Sequence, residues 1–250
     1  MPDFFLQMPQ SFAFKSPEVL ETVRKVERLR DHAAAQKSAL CLRYPSWDVI
    51  HDARLTTFAK VINVANSAQL ALTFVGQHLL DPIWWRGTAK KAIPPNDANI
   101  YINEFENFAK IAFVQFLFSS VESGFRILLR AVDPSACSQG TAEFKSVYEC
   151  LLRSKLMTNP PGAIDLLDLL RFIRNTVHNN GVFFNRAGTD EQVVYRGNTY
   201  SFFYGKAVDF VTWDFLISVA DDLVDLVVAV VSDASLAGIA GRIQDPFAQR

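Results

Sequence analysis

The stretch LLDLLRFIRNTVHNNGVFF, residues 166–184, places Arg171, Arg174, Asn175 and His178 on the last two turns of an amphipathic helix. Histidine titrates near neutrality and can take or give a proton at phosphorus. Arginine presents planar, permanently charged donors to a phosphate oxygen. One helical turn apart, the two suit metal-free cleavage of RNA, in which the neighbouring 2′-hydroxyl attacks the phosphodiester. Asn175 can orient either group or bind the phosphate. That chemistry calls for no external nucleophile, no cofactor and no metal.

Advancing about 100° per residue from Arg171, the apolar Leu166, Leu169, Leu170, Ile173 and Val177 fall within one arc of about 100°, the core-facing stripe. Arg171, Arg174 and His178 share about 60° beside that stripe, and Asn175 lies further round. A purely structural role competes with the catalytic one. Cations in a last helical turn interact favourably with the macrodipole. Asn179, Asn180 and Gly181 suit a left-handed terminus, and Arg171 can pair with Asp168 three residues earlier.

Other chemistries find less support. His32, His51, His78 and His178 are scattered and form no metal-binding helical pair. The acidic trio Asp221, Asp222 and Asp225 reads as a solvated helix face. No glycine-rich phosphate loop, dinucleotide fingerprint or nucleophile elbow occurs. In DPIWWRGTAKK, the residues Trp84, Trp85, Arg86, Lys90 and Lys91 have the types for gripping single-stranded nucleic acid. Packed aromatics in a linker explain them better. Cys41, Cys137 and Cys150 form no CxxC pair, and an odd count argues against a disulfide framework.

The chain has 250 residues, half of them hydrophobic and a fifth charged, so it can bury a sizeable core. Its 21 phenylalanines imply a bulky aromatic interior or an apolar partner surface. A net charge of −1 excludes a globally basic nucleic-acid binder but leaves room for a local basic site. The opening MPDFFLQMPQ lacks a basic region followed by an apolar run, so no secretory signal is expected. The apolar stretch FAKIAFVQFLFSSVESGFRILL is interrupted by Lys110, Glu122 and Arg126, and no membrane association is expected. The expected location is cytoplasmic.

Six helices are legible around the site. The first opens at Ser16 and Pro17, and the second runs over about 48–80. The Pro/Gly/Asn-rich stretch DPIWWRGTAKKAIPPNDAN then reads as a linker. Helices follow over about 99–132, 141–155, 163–179 and 213–232, with a β-hairpin of QVVYR against TYSFFY before the last. The fold class is therefore mainly α: an up-and-down helical bundle with one inserted β-hairpin, plus N-terminal helices. The expected domains are an N-terminal helical region over 1–95, the bundle over 96–235 with its hairpin at about 182–206, and a tail over 236–250.

RFIRNTVHNNG on the penultimate helix, the hairpin after it, and the earlier helix FLFSSVESGFRILLRAV together resemble the HEPN superfamily of prokaryotic toxins, phage-defence proteins and CRISPR-associated nucleases. The resemblance covers about residues 99–235. It implies a bundle that dimerises so that two Arg/His sets meet in one cleft, and a metal-independent endoribonuclease acting in defence or as a toxin. An antitoxin or defence partner would then accompany it. Carried onto this chain, His178 would be the general acid/base, Arg174 the phosphate-stabilising group and Asn175 a positioning residue. Glu122, with Arg126 four residues on, would orient Arg174, and Arg171 would be an auxiliary phosphate contact. The family spaces its Arg and His more widely than Arg174 and His178, which leave three residues between them; Arg171 and His178 leave six. Which arginine is the motif arginine stays open. Two rivals remain: a catalytically silent HEPN-like module that binds RNA or nucleotide or dimerises, and a helical scaffold protein.

Overall fold

The computed structural model describes residues 11–89, 93–136 and 143–249. The fold is mainly α with a single two-stranded antiparallel sheet among those residues. Helix α1 (Ser11–Arg43) turns at the stacked rings of Tyr44 and Trp47 into α2 (Ala53–Phe74), which a π-helical turn, Val75–Leu79, extends. Next come α3 (Pro82–Ala89), the long α4 (Pro95–Val132), and α5 (Phe144–Cys150) with its own π turn, Leu151–Lys155. Helix α6 (Ala163–Val177) precedes strands β1 (Glu191–Tyr195) and β2 (Asn198–Phe202). Helices α7 (Trp213–Ser232) and α8 (Ala234–Ala237) follow, then a final 3-10 turn, Pro246–Gln249.

The expected elements need three adjustments. Helix α1 starts at Ser11, ahead of the Ser16-Pro17 pair, so Pro17 falls in its second turn, where the missing N–H costs one backbone hydrogen bond, and does not open the helix. The second helix starts at Ala53, where Asp52 caps it by accepting from the Arg54 N–H. The stretch read as a linker contains α3, pinned by the Trp85 indole, which donates to the Leu79 carbonyl at 2.8 Å. Trp85 is buried and lies edge-on to Trp84, so these rings are packing groups. Lys90, Lys91, Cys137 and residues 1–10 lie outside the described residues. Cys41 and Cys150 are free thiols.

The hairpin pairs Gln192 with Ser201 and Val194 with Thr199. Its two-residue loop places Arg196 and Gly197 at φ 50° and 76°, the positive pair that a tight hairpin turn demands. The flanking chain closes beneath it through Phe183 N–H to Lys206 O and a bridge of Val182 with Ala207.

Helices α1 and α2 run antiparallel, as do α2 and α4, whereas α1 and α7 run parallel. One contiguous apolar core joins them, from Val26 and Leu29 through Phe58, Phe125 and Leu170 to Val230. Gly124 lets α2 and α4 approach closely, since a Cβ there would stand 2.5 Å from Thr57 Oγ1. By length and composition, Ala53–Leu79 and Asn96–Val132 each suffice to cross a membrane, Glu122 and Arg126 notwithstanding. Within the fold, 39% and 50% of their most apolar windows are buried against neighbouring elements.

Arg54 is fully buried, and so is its partner Asp52. The guanidinium meets both Asp52 oxygens, at 2.9 and 2.6 Å, and lies over the Trp47 ring at 4.2 Å. Its remaining donors reach the carbonyls of Leu236, Ile239 and Gly241. Beside it, Asp245 is buried and accepts from Thr56 at 2.6 Å and Lys60 at 2.8 Å. The start of α2 is thus fastened to residues 236–245. Removing one member of a buried ion pair strands the other, so Arg54→Met is expected to cost about 3–5 kcal/mol. A fall in the denaturant midpoint with an unchanged slope is the reading that checks it.

Candidate functional site

Helix α6 begins at Pro160, Pro161 and the left-handed Gly162, with Asp165 in the first turn where a negative charge suits the helix dipole. Its Leu166, Leu169, Leu170 and Ile173 are buried, as the apolar stripe requires. Phe172 meets Phe183 and Phe202 at ring distances of 5.5 and 5.2 Å, which ties the helix to the hairpin region. The other end closes on itself. Thr176 O accepts from the N–H groups of Asn179 and Gly181, at 3.0 and 2.9 Å, while Asn180 and Gly181 take φ of 52° and 87°. The Asn179 side chain donates to Asn175 O at 3.0 Å. This is a complete helix terminus built from Asn, Asn and Gly.

His178 is the C-cap residue and is exposed. Its ring makes no hydrogen bond among the described residues, so the terminus does not use it. Arg174 is half-buried. Its Nε is buried without a hydrogen-bond partner, its guanidinium lies 5.2 Å from the Phe118 ring centre of α4, and one Nη reaches only a long 3.5 Å contact to Asn175 Oδ1. On α4, Gln115 Oε1, one turn before Phe118, is also buried and unpartnered. The Arg174 Nε beside Phe118 is therefore an orphaned donor and Gln115 Oε1 an orphaned acceptor, which native interiors rarely tolerate.

Arg171 behaves differently. It donates to Asp168 Oδ1 at 3.2 and 2.8 Å, and the same oxygen takes the Tyr148 hydroxyl at 2.6 Å. Burial is the largest effect on the Arg171 charge and opposes it, but Asp168 and Tyr148 together outweigh it and its pKa is raised. Burial, followed by the Asp168 carboxylate, pushes the Tyr148 phenol far above its ordinary range. Glu122 and Arg126 bond one another at 2.6 and 3.0 Å. The carboxylate expected to orient Arg174 thus holds the arginine one turn along its own helix, and no Glu122–Arg174 bond exists among the described residues.

The structure brings Arg174, Asn175 and His178 together on one exposed turn and withdraws Arg171, Glu122 and Arg126 into pairs. A cleft of about 610 Å³ adjoins the same terminus, lined by Ile173, Thr176 and Asn180 on this side and by Glu104, Asn107 and Lys110 on α4. Neither Arg174 nor His178 lines it. Tyr148 and Gln115 escaped sequence reasoning because each lies on another helix, with no local spacing to link it to α6.

The acidic trio stays open to solvent at Asp221 and Asp225, and each of its members also has a partner. Asp222 takes the Tyr195 hydroxyl and the Arg196 guanidinium from the hairpin, and Asp221 and Asp225 both face His32 of α1. No group of three or more metal-ligating side chains converges among the described residues. The bundle with its inserted hairpin defines a mainly-α class. No family model, curated protein or solved structure matches the chain.

Two stability experiments separate the arginines. Arg171→Met breaks charge-assisted bonds to a mostly buried carboxylate and is expected to lose about 1–3 kcal/mol. Arg174→Met removes an unsatisfied donor and is expected to stay within about 0.5 kcal/mol of the parent. Thermal or denaturant melts of the two variants distinguish these outcomes. Alkaline pH gives a second test. Tyr148 and Tyr195 both have phenol pKa values raised by burial and then by a neighbouring carboxylate. Their contribution is full below about pH 10, where an unfolded phenol titrates, and is lost as pH rises from there. Tyr148→Phe should be less stable at neutral pH and lose less on going to pH 11 than the parent.

Proposed function

We propose that this chain is a HEPN-type, metal-independent endoribonuclease whose working pair is Arg174 and His178. The observation that carries the reading is that α6 ends in a terminus completed by Asn179, Asn180 and Gly181, which leaves the His178 ring and the Arg174 Nε without hydrogen-bond partners among the described residues. A half-buried arginine that holds no carboxylate can turn its terminal guanidinium nitrogens to an anion, and an exposed histidine one turn away is free to move a proton.

The reaction follows from those groups. The 2′-oxygen attacks phosphorus as an imidazole accepts its proton. The 5′-oxygen leaves with a proton, giving a 2′,3′-cyclic phosphate and a 5′-hydroxyl. Arg174 neutralises charge on the non-bridging oxygens in between, and Asn175 steadies the phosphate or the guanidinium. Proton removal and proton delivery lie on opposite sides of phosphorus, so a homodimer that pairs two such turns supplies one imidazole for each. We assign Arg171 to structure and Arg174 to substrate. A cytoplasmic toxin or phage-defence role, restrained by an antitoxin or a trigger, fits an enzyme of this kind.

One observation favours a second reading. If the wider Arg171–His178 spacing is the family motif, the motif arginine is tied to Asp168 and Tyr148, and the domain binds RNA without cutting it. Incubating a mixed RNA pool in excess EDTA separates the two. The parent is expected to leave 2′,3′-cyclic phosphate ends. His178→Ala should lower the rate by about 10²–10⁴-fold while the protein stays folded. Metal-free cutting that survives His178→Ala overturns the assignment. Silence from both, with RNA binding lost in Arg174→Ala, favours the binding module.

A further inference from the structure

His32 lies on the side of α1 that faces α7, at the edge of an open cleft of about 640 Å³, with roughly a quarter of its side chain exposed. Its Nδ1 stands 2.6 Å from Asp221 Oδ1. Its Nε2 stands 3.1 Å from Asp225 Oδ1 and also 3.1 Å from the Gln36 amide nitrogen. One ring nitrogen thus has an acceptor and a donor at equal distance. A neutral imidazole donates from one nitrogen and accepts at the other, whereas the imidazolium donates from both. The imidazolium satisfies Asp221 and Asp225 together. The neutral ring keeps Asp221 through Nδ1–H and takes the Gln36 amide at a bare Nε2, leaving Asp225 without its bond.

We propose that His32 is a pH-sensitive clasp between α1 and α7, in which protonation adds Asp225 to the grip and deprotonation hands Nε2 back to Gln36. The clasp joins helices whose residues are 189 apart in sequence, and α1 and α7 meet along their length around it. The charged groups near the ring reinforce the assignment. From α1, Lys25 is bound to Asp214 at 2.6 Å and Arg28 to Glu21 at 3.3 Å, so both cations have partners of their own. From α7, Asp214, Asp221 and Asp225 face α1, while Asp222 is turned to Tyr195 and Arg196. Glu27 and Arg30 are turned to Gln69 of α2. His32 is therefore the cation in direct contact with both Asp221 and Asp225, with Arg196 a more distant neighbour of Asp221.

Hydrogen exchange of the α1 amides over 26–40, expressed as protection over intrinsic rates, tests the clasp in the full chain. Protection is expected to fall by about two- to fivefold between pH 5.5 and 8, the scale of a partly exposed ion pair. Asp225→Asn should flatten that dependence, because the partner specific to the charged ring is gone. Gln36→Ala should steepen it, because the neutral ring then has no donor. Equal protection at both pH values overturns the proposal. So does a fall that persists unchanged in Asp225→Asn or His32→Gln. The exchange readout does not depend on RNA cleavage, so it stands or falls separately from the proposed activity.

Discussion

Arg54 and Asp52 sit at the meeting point of α1, α2 and residues 236–245 with no exposure to water. An isolated buried charge is expensive, and a buried pair is tolerable only when every donor and lone pair is satisfied. Here the guanidinium has two carboxylate oxygens, three backbone carbonyls and the Trp47 face. The carboxylate in turn caps α2. Each of these partners has a fixed direction, so the pair sets how α2 starts, where the loop through Trp47 lies and how the chain after α7 returns. The positions of α4 and α6 follow, since α4 packs on α2 through the close approach at Gly124 and α6 packs on α4 through Arg174 and Phe118.

A second pattern recurs around that frame. Tyr148, Asp168 and Arg171 form one phenol–carboxylate–guanidinium group, and Tyr195, Asp222 and Arg196 form another. Each joins neighbouring elements by charge-assisted bonds beneath a buried ring. The first holds α5 to α6 and the second holds the hairpin to α7. Against that background Arg174 stands out, because the same residue type, one turn from Arg171, has no carboxylate. The contrast on one helix separates structural arginine from available arginine more sharply than helical spacing does.

Much of the helical architecture was legible from periodicity and punctuation. Trp213–Ser232, Ala163–Val177 and the presence of a hairpin follow from apolar spacing, from Pro160-Pro161-Gly162 and from alternating strands, whereas Arg196, read as the end of the first strand, belongs to the turn and shifts the register. What escaped was non-local. Nothing near Asp52 announces that its arginine partner binds carbonyls more than 180 residues later. Nothing near Asp221 points to His32. The stretch around Trp84 and Trp85 looked like a linker because proline and glycine dominate it, yet tertiary packing of Trp85 overrides that local preference. On α6 the spacing grouped Arg171, Arg174 and His178 on one flank, but Arg171 is bonded to Asp168 and the other two are not. Separating their roles needed Tyr148, which belongs to another helix.

The order of synthesis gives the Arg54 fastening a temporal side. Asp52 leaves the ribosome just ahead of Arg54, but the three carbonyls follow 182 to 187 residues later. Through most of translation the guanidinium can meet only Asp52 and water, so the interior it later occupies cannot shut around it. Contacts this distant along the chain close slowly, because loop entropy must be overcome before they form. Helices α1 and α2 therefore wait, partly open and with apolar surface showing, until residues 236–241 have been made. Until those residues have emerged, that apolar surface is open to non-native association.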